Sequence, residues 1–179
     1  IDRVFGTGKG FVAMDDDEGV SFTGPRGFCW GHEFHGGQCD QVIFDGGATH
    51  VVNSARAHVV LNADTGKMDC WGEAAWGGNC TNIDFTGTTD VYAGTRAFVA
   101  LNKNAGTAIC WGSEPAGVCS DIDFEGVTLI VGNGRAFMAL DETTDTMVCW
   151  GHEDFGASCT DVDNPVKPDV PKFQVVTTQ

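Results

Sequence analysis

The chain has 179 residues, the size of one ordinary domain, and 25 of them are glycine, roughly twice the usual share. Leucine appears only four times (Leu61, Leu101, Leu129 and Leu140), which removes a helical bundle with a leucine-built core. Ten basic against 25 acidic residues leave a net charge of −15, and this excludes nucleic acid and anionic lipid, which need a basic footprint. Hydrophobic residues make up 42% of the chain, enough for a packed core, and no apolar run reaches the ~18 residues of a membrane-spanning helix.

Taken in chain order, the first predicted strand pair is Arg3-Val4-Phe5-Gly6 with Gly10-Phe11-Val12-Ala13-Met14. Its hairpin is six residues longer than the later ones and carries the acidic run Asp15-Asp16-Asp17-Glu18. That run lacks the Asp-x-Asp-x-Asp-Gly spacing of a calcium loop and reads as a solvated tip. Three further segments copy the second strand: Ala57-His58-Val59-Val60-Leu61, Ala97-Phe98-Val99-Ala100-Leu101 and Ala136-Phe137-Met138-Ala139-Leu140. A base precedes each copy (Lys9, Arg56, Arg96, Arg135) and Asn or Asp follows it. In Ala97–Leu101 both alternating faces are apolar, the pattern of a strand covered on both sides. A polar turn and a return strand ending in Cys-Trp-Gly complete the unit, with Trp30, Trp71, Trp111 and Trp150 in the motif.

The first cysteines of successive motifs, Cys29, Cys70, Cys110 and Cys149, advance by 41, 40 and 39 residues. Each is followed at nearly constant distance by a second, Cys39, Cys80, Cys119 or Cys159. Eight cysteines allow 105 pairings, but a pair recurring once per repeat is most simply four local disulfides. Such bonds belong to an oxidising compartment, secreted or lumenal. The repeats run over about 1–46, 47–86, 87–125 and 126–164, within one domain. Ile83-Asp84-Phe85 and Ile122-Asp123-Phe124 close two of them, with looser counterparts at Val42-Ile43-Phe44 and Val162-Asp163-Asn164. Each repeat therefore has three strands, or four if this last segment pairs. Residues 165–179 form a Pro-rich connector and a strand placed to fasten a ring near the first repeat. Short antiparallel sheets with two covered faces, repeated every ~40 residues, describe an all-β, four-bladed propeller; a stretch of a longer array is the rival.

Arg96-Ala97-Phe98-Val99-Ala100-Leu101-Asn102, a turn, then Cys110-Trp111-Gly112 and a glycine-containing loop resemble the regulator-of-chromosome-condensation type of propeller repeat in its short, three-strand form. The resemblance covers roughly residues 2–164 and implies a blade architecture that hosts many unrelated partners. The family ring usually has seven blades where four repeats stand here, and the charge of −15 removes chromatin from what the family implies. Similar cysteine-containing copies in algal proteins suggest an accessory subunit on the lumenal or extracellular side of a membrane complex.

Several residues invite a chemical role. His32 and His35 between Cys29 and Cys39 imitate a zinc spacing, but the second and third repeats have no histidine there, so a disulfide explains all four copies and zinc only one. His32-Glu33 recurs as His152-Glu153, a pair that ring closure would bring face to face as a metal or acid–base site, a hydrolase reading. With no nucleophile or third ligand in the pattern, loop support is the preferred role. No cofactor is implied. The repeated bases read as salt bridges to Asp84 or Asp123 of neighbouring blades, or else as an anion site near the axis. Trp76, which has no Trp counterpart, reads with Phe34 and Phe155 as an exposed contact surface. Asn79-Cys80-Thr81 is a formal glycosylation sequon with a cysteine inside it. The favoured function is a non-enzymatic protein-interaction module. The alternative is a carbohydrate- or Ca²⁺-dependent ligand binder.

Overall fold

The computed structural model describes residues 1, 3–14, 27–40, 42, 48–62 and 66–159. The Asp15–Glu18 run, Ile43-Phe44, Val162-Asp163-Asn164 and the 165–179 closing strand lie outside them. Among the described residues twelve strands form four three-stranded antiparallel sheets, each in sequence order. Blade 1 contains β1 (Arg3–Gly6), β2 (Gly10–Met14) and β3 (Gly27–Gly31); blade 2 contains β4 (Ala48–Asn53), β5 (Ala57–Asn62) and β6 (Lys67–Gly72). Blade 3 contains β7 (Asp90–Ala93), β8 (Ala97–Asn102) and β9 (Thr107–Gly112); blade 4 contains β10 (Leu129–Gly132), β11 (Ala136–Asp141) and β12 (Thr146–Gly151). The all-β propeller architecture expected from the repeat is what the chain adopts.

The middle strands β5 and β8 are apolar on both faces because a neighbouring sheet covers each face. Phe98 and Ala100 pack towards blade 2 with Val59 and Phe85, whereas Val99 and Leu101 pack towards blade 4 with Phe137 and Trp150. Val12 and Met14 meet Val51, Val60 and Trp71 in the same way. Three apolar layers therefore join four blades, and the first strands β1, β4, β7 and β10 neighbour one another in succession.

Every junction repeats one polar device. The Trp of Cys-Trp-Gly lies opposite the aromatic position of the middle strand, as in Phe98↔Trp111, and the two rings stack 5.4 Å apart. The indole Nε1–H then crosses to the preceding blade: Trp71 donates to the Gly36 carbonyl (3.1 Å), Trp111 to Gly77 (3.1 Å) and Trp150 to Ala116 (3.3 Å). A buried indole thus brings its apolar area and satisfies its N–H together, the latter a net contribution of about 1 kcal/mol. Near the axis the backbone continues the link, with Gly8 N–H donating to Ala55 O, Ala55 to Thr95 O and Thr95 to Asn133 O.

Within each blade a disulfide ties the third strand to the loop beyond it: Cys29–Cys39, Cys70–Cys80, Cys110–Cys119 and Cys149–Cys159, with Cα separations of 5.7, 5.8, 5.7 and 5.7 Å. Closing so short a loop contributes about 2.5–3 kcal/mol in the chain-entropy picture. The Ile-Asp-Phe segments do not supply a fourth strand. Ile83-Asp84-Phe85 and Ile122-Asp123-Phe124 are irregular segments between turns, and their Phe85 and Phe124 rings lie 5.2 and 5.5 Å from the next blade's Trp111 and Trp150. The glycine after each Trp has a structural cause: Gly112 has φ +115°, and a Cβ there would run into the Arg96 carbonyl.

Candidate functional site

After the third strand of blades 1, 2 and 4 the chain makes a 3₁₀ turn: Glu33–His35, Ala74–Trp76 and Glu153–Phe155. Each ends on a glycine in the left-handed region (Gly36, Gly77, Gly156). The last residue of each turn is aromatic and points its carbonyl at one recurrent partner. Thr7 Oγ1 donates to His35 O (2.7 Å), Ser54 Oγ to Trp76 O (3.3 Å) and Asn133 Nδ2 to Phe155 O (2.7 Å). Blade 3 has Gly94 in place of that donor and Glu114-Pro115-Ala116 in place of the aromatic turn. Sequence reasoning missed these anchors. Their signal is a Thr, Ser or Asn three residues before the first residue of the middle strand, replaced by Gly where the aromatic is absent.

The repeated bases converge on these turns. The Arg56 guanidinium lies 4.4 Å from the Trp76 ring centroid and that of Arg96, from the next blade, lies 4.6 Å from it. Arg135 stands over Phe155 at 5.6 Å. Arg56 also reaches Glu73 at 3.7 Å, a partly exposed pair that contributes under about 1 kcal/mol. Among the described residues Lys9, Arg96 and Arg135 have no carboxylate partner. The expected salt bridges to Asp84 and Asp123 do not form. Asp84 is occupied by Thr86, whose N–H and hydroxyl hold its carboxyl below the ordinary value, and Asp123 accepts the Glu125 N–H. Arginine stacks on the aromatic because a guanidinium over a ring keeps its donors free for solvent or ligand.

Trp76 is therefore half-buried beneath two cations instead of standing free, whereas Phe34 and Phe155 are 59% and 41% exposed. His35 is buried with Nδ1 unpartnered, and burial followed by the Arg56 charge lowers its pKa, so it is neutral at pH 7. The His32-Glu33 and His152-Glu153 pairs stay on their own turns. His32 contacts Phe34 and His35, and His152 accepts the Asp154 N–H through Nδ1 and packs edge-on to Phe155. Among the described residues no three His, Cys, Asp or Glu side chains gather as a metal-holding group. Cys80 of the sequon is bonded to Cys70, and the exposed Asn79 accepts from the Thr81 N–H and hydroxyl.

What the arrangement offers chemically is a shallow face on which fixed cations, interleaved with aromatic rings, stand out from a chain of net charge −15.

No family model matches the chain, and no curated protein does. Among solved structures it is similar to the ectodomain of the receptor kinase CR4 of Physcomitrella patens, with 19% identity and a TM-score of 0.61. That alignment covers 83% of this chain and 40% of the ectodomain. The CRINKLY WD40 ectodomain of the Arabidopsis thaliana receptor kinase ACR4 is a second neighbour, at 18% identity and a TM-score of 0.49, covering 70% of this chain and 42% of that one. The chain spans well under half of each neighbour, and the likeness to the moss ectodomain is one of fold. Structure and comparison together support a disulfide-stapled propeller array, and its four disulfides belong to an oxidising compartment, extracellular or lumenal.

Proposed function

We propose that the chain is a non-enzymatic protein-interaction module whose repeats are of the regulator-of-chromosome-condensation type. Its turn face receives an acidic segment of a partner protein. The observation that carries this reading is the placement of Arg56 and Arg96 over Trp76, with Arg96 free of any carboxylate among the described residues. Both guanidiniums are half-buried against Trp76, and one that is stacked but unpaired with a carboxylate is pre-aimed for bidentate carboxylate recognition. Rigid blades suit that role because the face is ordered before the partner arrives. In a membrane-associated assembly the module would sit as an accessory subunit on the lumenal or extracellular side, as algal repeat proteins of this type suggest.

Fluorescence titration with a glutamate-rich peptide and its lysine-rich counterpart tests the reading through the Trp76 signal. The acidic peptide binds, more weakly as salt rises, and Arg96→Glu lowers its affinity about tenfold. Equal indifference to both peptides at low salt would contradict it.

A further inference from the structure

Among the described residues the three internal junctions differ in how polar they are. Blade 3 turns Ala93, Phe98 and Ile109 towards blade 2, all within one apolar layer. Gly132, Phe137 and Val148 hold the same positions in blade 4. Blade 2 holds Asn53, His58 and Asp69 there, so its junction with blade 1 is the one that takes polar and titratable side chains at these positions.

His58 is fully buried, stacks on Trp71 at 4.9 Å and lies so close over Gly36 of blade 1 that a Cβ there would strike its ring. His35, the residue before Gly36, is buried as well. With Nδ1 of His58 donating to Asn53 Oδ1 (2.6 Å), Nε2 is the site left for a proton, and that atom is buried without a partner. His35 Nδ1 is buried and unpartnered in the same way. The groups packed on His58 are Asn53, Trp71 and Gly36, none of them charged. His35 faces Arg56 and, more weakly, His32 and Lys9, and no carboxylate acts on either imidazole. Asp40 and Asp69 line a groove beside Trp71. A proton on either ring would therefore be buried with neither an acceptor nor a counter-charge.

We infer that the junction between blades 1 and 2 is an acid-operated seam: protonation of His58, reinforced by His35, lifts the Gly36 turn off the His58–Trp71 stack while the Phe98 and Phe137 junctions stay closed. The closed seam admits only the neutral imidazole of His58, whose pKa burial lowers to about 4, whereas the open seam admits both forms. Opening is therefore rare above pH 6.5 and grows as pH falls towards 4. For His58 alone the ratio of open to closed seam rises about thirtyfold by pH 5 and about 150-fold by pH 4. Burial, followed by the Arg56 charge, lowers the His35 pKa too, so the second imidazole acts in the same direction. Phe98 and Phe137 take up no proton, and acid has no such hold on the seams they fill.

Hydrogen exchange of the Trp71, Trp111 and Trp150 indoles, followed by NMR between about pH 7 and pH 4.5 and expressed relative to free indole at each pH, reads the three seams separately. Protection of the Trp71 Nε1–H falls about thirtyfold by pH 5, whereas that of Trp111 and Trp150 changes by less than about threefold. His58→Phe puts into this seam the residue that fills the other two, and it removes the Trp71 response; full protection at pH 7 confirms its fold. Asp69→Asn leaves the response in place. Equal losses at all three indoles overturn the proposal, since acid then unfolds the array as a whole, and so does undiminished protection of Trp71. A Trp71 response that survives in His58→Phe, or one that vanishes in Asp69→Asn, also overturns it, because the proton then acts elsewhere.

Discussion

Phe98–Trp111 and Phe11–Trp30 are the same motif at the same cross-strand register, with the same ring spacing of 5.4 Å. The first pair is sealed between two blades and its indole is bonded to Gly77; the second has solvent on one side. The stack is therefore a property of one blade, set by strand pairing alone, and burial is supplied by the neighbour. A third case separates shape from polarity. His58 replaces the phenyl ring, stacks on Trp71 at 4.9 Å and is fully buried, with Nδ1 donating to Asn53 Oδ1 (2.6 Å) and Nε2 unpartnered. The junction accepts an imidazole of similar outline, and an unsatisfied polar atom is the cost.

The largest break in the comparison is Trp111→Ala. It opens a cavity between blades 2 and 3 and orphans the Gly77 carbonyl, and chemical denaturation should show a loss of about 3–5 kcal/mol. Trp30→Ala in the dilute chain should change stability by less than about 0.5 kcal/mol, as an exposed substitution does. Comparable losses at the two positions would mean that the junctions are not what holds the array together. Next in size is acid sensitivity. Burial lowers the His58 pKa from 6.5 to about 4, so the folded state holds this imidazole neutral and the unfolded chain binds its proton more readily. The associated stability is complete above pH 6.5 and declines as pH falls towards 4, by about 3 kcal/mol in all. His58→Phe should remove that component from the pH profile of the denaturation midpoint. An unaltered acid slope would place the sensitivity elsewhere.

Much of this architecture is legible in the sequence because it is local. Strand alternation, the Cys-Trp-Gly register and the cysteine pairs depend on contacts within some forty residues, and four copies reinforce one another. What a neighbouring blade decides is less visible. The direction in which Trp111 reaches, back to Gly77, does not follow from spacing, nor does the choice of Arg96 to stack on Trp76 instead of pairing with Asp123. Ile122-Asp123-Phe124, a fourth strand in the sequence only if it paired, runs as an irregular segment between turns and lays Phe124 against the next blade's Trp150. The Thr7, Ser54 and Asn133 anchors were hidden by their chemical variety, since hydroxyl and amide serve one carbonyl equally well.

Indole hydrogen exchange, followed by NMR, tests the inter-blade bonds directly. The Nε1–H groups of Trp71, Trp111 and Trp150 exchange only through opening of a junction, and that of Trp30 exchanges at close to the rate of a free indole. Four indoles exchanging at one common rate, fast or slow, would contradict an array held together by tryptophans that reach back to the blade before.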